Sequence, residues 1–128
     1  MDLAVGRMIV STPTEAREMV DKIIRYTSEP AFDAWRNRIT LIGDDVDIAS
    51  DAILQSNVSE LGDDIFQNRP SYNVKKILLD SYDQVSSAGG ERYPQAVEDI
   101  ANAFEQGSLV VNYFGHGNED GLAQEFVI

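Results

Sequence analysis

The chain contains one histidine, His116, which lies between Gly115 and Gly117 directly after the apolar run at residues 109–114. Imidazole is the side chain whose unperturbed pKa lies nearest neutrality, so at the end of a strand it can serve as a general acid or base for a nucleophile. A glycine on each side lets the backbone turn sharply and lets another segment approach closely. A loop histidine that is solvated or bonded to backbone would have the same pattern, and the pattern alone leaves both interpretations open.

Gly117 could take part in the same chemistry through its backbone. A glycine N–H beside the histidine is accessible, and such donors form oxyanion holes where negative charge develops in acyl transfer. The candidate catalytic residues are therefore His116 and Gly117.

A second candidate site is acidic. Asp44, Asp45 and Asp47 follow the apolar segment at residues 39–43. Clustered carboxylate oxygens suit a hard cation such as Ca²⁺, which makes these three aspartates candidate calcium ligands, although their spacing does not match a calcium-binding loop. The other interpretation is a solvated turn whose aspartates cap the next helix.

The elements that would position these residues alternate between strand and helix. Strands are predicted at residues 2–10, 39–43, 74–80 and 109–114, and helices from the capping box at Thr12–Glu15 to about residue 27, at residues 54–65, and from Pro94 to a C-terminal cap at Gly107. Residues 81–92, with two adjacent glycines, are predicted to be an irregular surface loop. This order is typical of an α/β domain with a parallel sheet covered by helices on both faces.

Topology gathers the polar candidates at one edge of that sheet. Ligands of open α/β sheets bind outside the carboxyl ends of the strands. Asp44, Asp45, Asp80 and His116 each follow a predicted strand, so we expect them to converge there. The whole chain, residues 1–128, is expected to form a single α/β domain or part of one.

Composition narrows the class of protein. The apolar content of 43% and charged content of 25% are those of a globular domain, and the net charge of −12 argues against a nucleic-acid partner. There is no cysteine, which excludes disulfides, zinc–thiolate sites and thiol catalysis within these residues. We expect no transmembrane segment, and no signal peptide is recognised at the start of the chain.

The histidine segment also carries a family resemblance. Residues 112–119 (NYFGHGNE), followed by Leu-Ala-Gln-Glu at residues 122–125, resemble the histidine segment of gingipain-like cysteine peptidases, family C25. The similarity extends along residues 2–7, 15–26, 35–38, 43–45, 74–80 and 93–94.

The resemblance implies a caspase-like, three-layer α/β fold with a mainly parallel sheet, and peptide hydrolysis or transpeptidation by a cysteine–histidine pair without a cofactor. By the same resemblance, His116 is the catalytic histidine and Gly117 contributes its N–H to the oxyanion hole. The Gly-His-Gly and Leu-Ala-x-Glu motifs are most similar to the sortase branch of the family, which serves type IX secretion in Bacteroidetes. This implies protein cargo with a C-terminal signal as substrate, other type IX secretion components as partners, and a cell-surface, outer-membrane or extracellular location.

The chain departs from the family pattern at the nucleophile. In the family the cysteine follows the next strand, and these 128 residues contain none. We therefore expect a C-terminally truncated part of the peptidase domain that is inactive by itself. Two alternatives remain open: a non-catalytic protein-binding module of a surface secretion complex, and a small cation-binding domain that uses Asp44, Asp45 and Asp47.

Overall fold

The first unit of the chain is built around one capped helix. The computed structural model of the protein describes residues 5–88 and 90–128, and the chain divides into two units, residues 1–33 and 34–128. Helix α1, Pro13–Thr27, begins after Thr12, whose hydroxyl accepts the Glu15 N–H at 3.2 Å while the Glu15 carboxylate accepts the Thr12 N–H at 3.3 Å. The predicted capping box and helix are confirmed.

The strand predicted at residues 2–10 is wrong where it can be compared. Residues 5–10 form no strand, and residues 2–4 lie outside the described part. Val5 and Ile9 are almost fully exposed. An apolar alternation favours a strand only where one face packs against neighbours, and these side chains have no such burial.

The second unit contains a three-stranded parallel sheet with β1, Arg38–Gly43, in its centre. Strand β2, Asn73–Leu78, pairs with one edge of β1, and β5, Val110–Phe114, pairs with the other. Five consecutive residues of β1 are buried because helices cover both faces of the sheet. The prediction for residues 39–43 is confirmed.

Side-chain alternation along β1 divides the core between two helices. Ile39 and Leu41 pack on one face with Val58 of α2, Ala52–Asn68. Ile42 lies on the other face with Ile100 of α3, Pro94–Gln106, which ends at the predicted cap Gly107. The resulting mixed α/β architecture is consistent with the caspase/gingipain-like fold and confirms the predicted class. A single domain over residues 1–128 stays a prediction.

Two connections differ from their predictions. The region 81–92 is not wholly irregular, because β3, Val85–Ser87, and β4, Gly90–Arg92, form an antiparallel pair. Strand β2 ends at Leu78, and its predicted end at Asp80 lies in a 3₁₀ turn, Leu79–Ser81. Further 3₁₀ turns occupy Glu29–Ala31, Ala34–Asn37 and Ala49–Asp51.

None of the helices described is long and apolar enough to span a bilayer.

Truncation of Leu41 tests the central strand. Leu41 is 1% exposed, so Leu41→Ala leaves a cavity and is expected to lower the free energy of unfolding by about 3 kcal/mol. Leu61→Ala, the same change at a largely exposed position of α2, is the matched control and should cost less than about 1 kcal/mol. Equal losses in urea titrations would contradict the assignment of Leu41 to the core.

Candidate functional site

The register of β1 against β5 brings two strand ends together. Gly43 lies opposite Phe114, and the pairing continues one step further because the Asp44 N–H donates to the Phe114 carbonyl at 3.2 Å. Both strands run in the same direction, so the residues after their carboxyl ends meet at one edge. Asp44 therefore lies beside the segment that carries His116.

One carboxylate oxygen of Asp44 holds His116 twice. Oδ2 accepts the His116 backbone N–H at 2.7 Å and lies 3.0 Å from the ring Nδ1. A carboxylate can only accept, so Nδ1 carries the proton of this bond and Nε2 of the neutral ring keeps its lone pair. Asp44 is 1% exposed, whereas the His116 side chain is 48% exposed. The ring is thus anchored at Nδ1, and about half of the side chain is open to solvent.

The backbone of His116 is fixed from its carbonyl side as well. The carbonyl oxygen accepts the Tyr113 hydroxyl at 2.6 Å and the Ala123 N–H at 2.9 Å. Because its N–H is bound to Asp44, both polar groups of this peptide backbone are satisfied. This degree of anchoring argues against the interpretation of His116 as a loosely solvated loop residue.

Gly115 makes the approach of Asp44 possible. A Cβ atom at Gly115 would collide with the Asp44 side chain and the Tyr113 hydroxyl. Its φ does not lie in the left-handed region, so the glycine is required for space and not for an unusual backbone conformation. The predicted close approach is confirmed at Gly115, whereas a Cβ at Gly117 would make no contact closer than 3.3 Å.

The surroundings of His116 raise its pKa. The hydrogen bond that His116 donates to Asp44 is the largest cause of the rise. Desolvation is the next largest effect and opposes it, while the negative charges of Asp51, Asp44 and Asp47 each raise the pKa further. Asp51 is a residue that sequence reasoning missed: it is buried, and its Oδ1 lies 3.9 Å from Nε2. Its Oδ2 also accepts the Ile48 N–H at 3.1 Å, so the start of the 3₁₀ turn before α2 positions it.

Gly117 presents an available backbone donor. It forms an isolated antiparallel bridge with Leu122, yet no acceptor for its N–H is found among residues 5–88 and 90–128. The imidazole and this N–H are adjacent in sequence and lie at the same strand end. Such a pair can remove a proton from a nucleophile and stabilise developing negative charge on an acyl oxygen.

Three buried carboxylates lie behind the histidine. Asp44, Asp45 and Glu125 are 1%, 5% and 3% exposed, and one oxygen of each lies within 4.8 Å of the others. The interpretation of Asp44 and Asp45 as a solvated turn is therefore wrong, since the sheet and the segment after the histidine enclose both side chains. Asp47 does not belong to this group. It is exposed and accepts the Gln124 amide at 2.6 Å.

Asp80 is not brought into the group. It is exposed in the 3₁₀ turn that follows β2. Glu125 was missed as a site residue, because the sequence shows it only as the last residue of the Leu-Ala-x-Glu motif. Only its burial distinguishes Glu125 from the exposed acids of the chain. That burial arises from the fold of residues 122–128, in which the Leu122 N–H donates to the Ile128 carbonyl at 3.1 Å, and the sequence does not reveal it.

Burial changes the proton affinity of two of these carboxylates. Desolvation raises the pKa of Glu125 to about 7, with smaller contributions from nearby aspartates and against the opposing effect of a backbone hydrogen bond. Desolvation also raises the pKa of Asp45, although the Tyr93 hydroxyl, which donates to Asp45 Oδ2 at 2.9 Å, opposes the rise. Glu125 and Asp45 therefore resist ionisation.

Removal of the Asp44 charge tests its hold on the imidazole. Asp44→Asn should lower the pKa of His116, because the imidazolium loses its principal anionic partner. The ring signals of the only histidine in the chain can be followed by NMR through a pH titration. Asp47→Asn is the matched control and should lower the pKa less, since Asp47 contributes least of the three neighbouring aspartates. An unchanged pKa in Asp44→Asn would refute the assigned contact.

Replacement of Glu125 tests the energetic cost of the buried acid. In the unfolded chain this carboxyl ionises near its ordinary pKa of 4.5, while in the fold it stays protonated up to about 7. The unfolded state binds fewer protons between these values, so this group makes the wild-type fold less stable as pH rises from 4.5 to 7. At about 1.4 kcal/mol per tenfold change in proton affinity, the full effect is about 3 kcal/mol.

Glu125→Gln removes that titration. In a chelator, the difference in free energy of unfolding between variant and wild type should change in favour of the variant by about 2 to 3 kcal/mol from pH 4.5 to 7. Glu119→Gln makes the same change at an exposed position and should follow the wild-type curve. Parallel pH profiles for Glu125→Gln and wild type would contradict the raised pKa.

Comparison with known proteins shows the family of the chain. No curated protein and no solved structure gives a significant match to the chain. The sequence model of Peptidase family C25 matches residues 1–128, the whole length of the chain. The chain belongs to peptidase family C25.

Proposed function

We propose that this chain is the histidine-bearing part of a C25 cysteine peptidase and that His116 is the base of its cysteine–histidine pair. The observation that carries the proposal is the pair of hydrogen bonds that the backbone N–H and Nδ1 of His116 donate to Asp44 Oδ2. It leaves the lone pair on Nε2 of a half-exposed ring, in a chain that belongs to a cysteine peptidase family. The nucleophile is a cysteine outside these 128 residues.

The mechanism follows from the state of the ring. Nε2 takes the proton of the thiol, and Asp44 stabilises the imidazolium through Nδ1. The thiolate attacks the scissile carbonyl, and the resulting oxyanion accepts the N–H of Gly117. When the carbon–nitrogen bond breaks, the imidazolium returns the proton to the leaving amine. Water hydrolyses the thioester, or an amine replaces water and a transpeptidation results.

The 128 residues alone are then inactive as a peptidase. A nucleophile and its base act as a unit, and loss of either forfeits most of the rate enhancement. The chain has the base, its orienting carboxylate and an oxyanion donor, but no thiol. Peptide cleavage by the purified chain at a rate that His116→Ala abolishes would contradict this part of the proposal.

We further propose that the parent protein is a sortase of the PorU type, which removes C-terminal sorting signals from type IX secretion cargo at the cell surface. The Gly-His-Gly motif followed by Leu-Ala-Gln-Glu supports this narrower assignment. The substrate would then be secreted protein with a C-terminal signal, and the partners other type IX secretion components. A cargo protein with and without its C-terminal signal distinguishes a sortase from a general peptidase, which would cleave both.

The decisive experiment uses the longer gene product that includes the proposed cysteine. His116→Ala should lower cargo cleavage at least about a thousandfold, because the base is lost, while the circular dichroism spectrum stays unchanged. Glu119→Ala, an exposed change in the same loop, should retain near wild-type activity. Retained cleavage in His116→Ala, or no cysteine in the continuing sequence, would overturn the proposal and favour a non-catalytic binding module.

A further inference from the structure

We propose that Asp44, Asp45 and Glu125 form a binding site for one Ca²⁺ ion behind the histidine. The inference goes beyond the proposed function, because it concerns carboxylate oxygens that form no hydrogen bond to His116. It also differs from the calcium site that the sequence suggests, since Glu125 takes the place of Asp47.

The unsatisfied oxygens are the first argument. Asp44 Oδ1, Asp45 Oδ1 and Glu125 Oε2 are inaccessible to solvent, and no hydrogen-bond donor reaches any of them within the described part of the chain. Buried carboxylate oxygens are nearly always bonded, since an unpaired buried acceptor costs about 1–3 kcal/mol or more. Three such oxygens in one group indicate a shared ligand.

The other carboxylate oxygens show that two side chains are already held in place. Asp44 Oδ2 accepts from His116, and Asp45 Oδ2 accepts the Tyr93 hydroxyl at 2.9 Å. Each aspartate is therefore anchored through one oxygen, and its second oxygen has no hydrogen-bond donor. This arrangement is preorganised, which lowers the entropic cost of binding an ion.

A proton is the competing solution, and it satisfies fewer atoms. One proton placed between two carboxylates serves one donor oxygen and one acceptor oxygen, which leaves the third oxygen unpaired. A cation at the centre contacts all three oxygens and also neutralises their charge. The ion pairs of Lys75 and Lys76 are formed with Asp99 and Asp63, and the charged partner of Asp44 is His116.

The spacing and the chemistry of the oxygens favour calcium. Ca²⁺ binds oxygen at 2.3–2.6 Å, so ligands around one ion lie up to about 5 Å apart, and one carboxylate oxygen of each of the three residues lies within 4.8 Å of the others. Mg²⁺ requires ligands at about 2.0–2.1 Å in strict octahedral geometry, which brings opposite oxygens to about 4.2 Å. Water would supply the remaining ligands of a six- to eight-coordinate Ca²⁺.

The test is calcium titration of the purified chain by isothermal calorimetry, after removal of divalent ions with a chelator. One Ca²⁺ per chain is expected to bind, and Mg²⁺ should bind at least about tenfold more weakly. Glu125→Gln and Asp45→Asn should each weaken Ca²⁺ binding at least tenfold. Glu119→Gln, exposed in the same loop, should bind within about twofold of wild type.

A luminescence measurement keeps the test valid if a variant folds poorly. Tb³⁺ replaces Ca²⁺ in oxygen sites and emits when a nearby tyrosine is excited, and Tyr93 touches Asp45. Wild-type protein should show tyrosine-sensitised Tb³⁺ emission that Ca²⁺ displaces. No calcium binding up to about 10 mM, well above the weakest range of protein calcium sites, would overturn the proposal in favour of a shared proton. Binding that both variants retain would place the ion elsewhere and overturn it equally.

Discussion

The hydrogen bonds between Asp44 and His116 are the constraint on which the rest of the site depends. A single carboxylate oxygen orients the ring and fixes the backbone that carries it. That geometry requires β1 and β5 to be neighbours in parallel register, and it requires Gly115 to have no side chain. The Tyr113 hydroxyl donates to the His116 carbonyl and so fixes the other side of the same backbone segment. The pairing of β1 with β5 therefore places a carboxylate at Nδ1, and that carboxylate keeps the proton of the neutral imidazole on Nδ1.

The burial of Asp44 comes with the burial of two further carboxylates, which lowers the stability of the fold. Asp44 must be nearly excluded from water to hold the ring, and the same enclosure takes in Asp45 and Glu125. Burial disfavours ionised carboxylates, which is why the pKa of Glu125 rises to about 7. The three buried carboxylates beside His116 thus destabilise the fold next to the proposed catalytic base. Local costs of this kind are common at functional sites.

The sequence was most informative where a signal is local. The capping box at Thr12 predicts its helix because its hydrogen bonds join residues three positions apart, and the run at residues 39–43 predicts a buried strand because its residue types are themselves apolar or small. The alternation at residues 2–10 failed for the opposite reason, since it needs a packed partner surface. Asp51 and Glu125 escaped prediction because backbone folding after strand ends, and not residue spacing, brings them to the site. Topology predicted the meeting of Asp44 with His116, but not that one oxygen makes both bonds.

The orientation of His116 comes from three nearby elements. Its bonds are to Asp44 at the end of β1, to Tyr113 in β5 itself, and to Ala123 after the turn. These bonds fix the backbone on both sides of the histidine and the ring at Nδ1. If His116 is the base that we propose, its proton-accepting atom is Nε2, because Nδ1 is held by Asp44. The function proposed for the ring therefore depends on strand pairing and on the fold of the segment that follows the histidine.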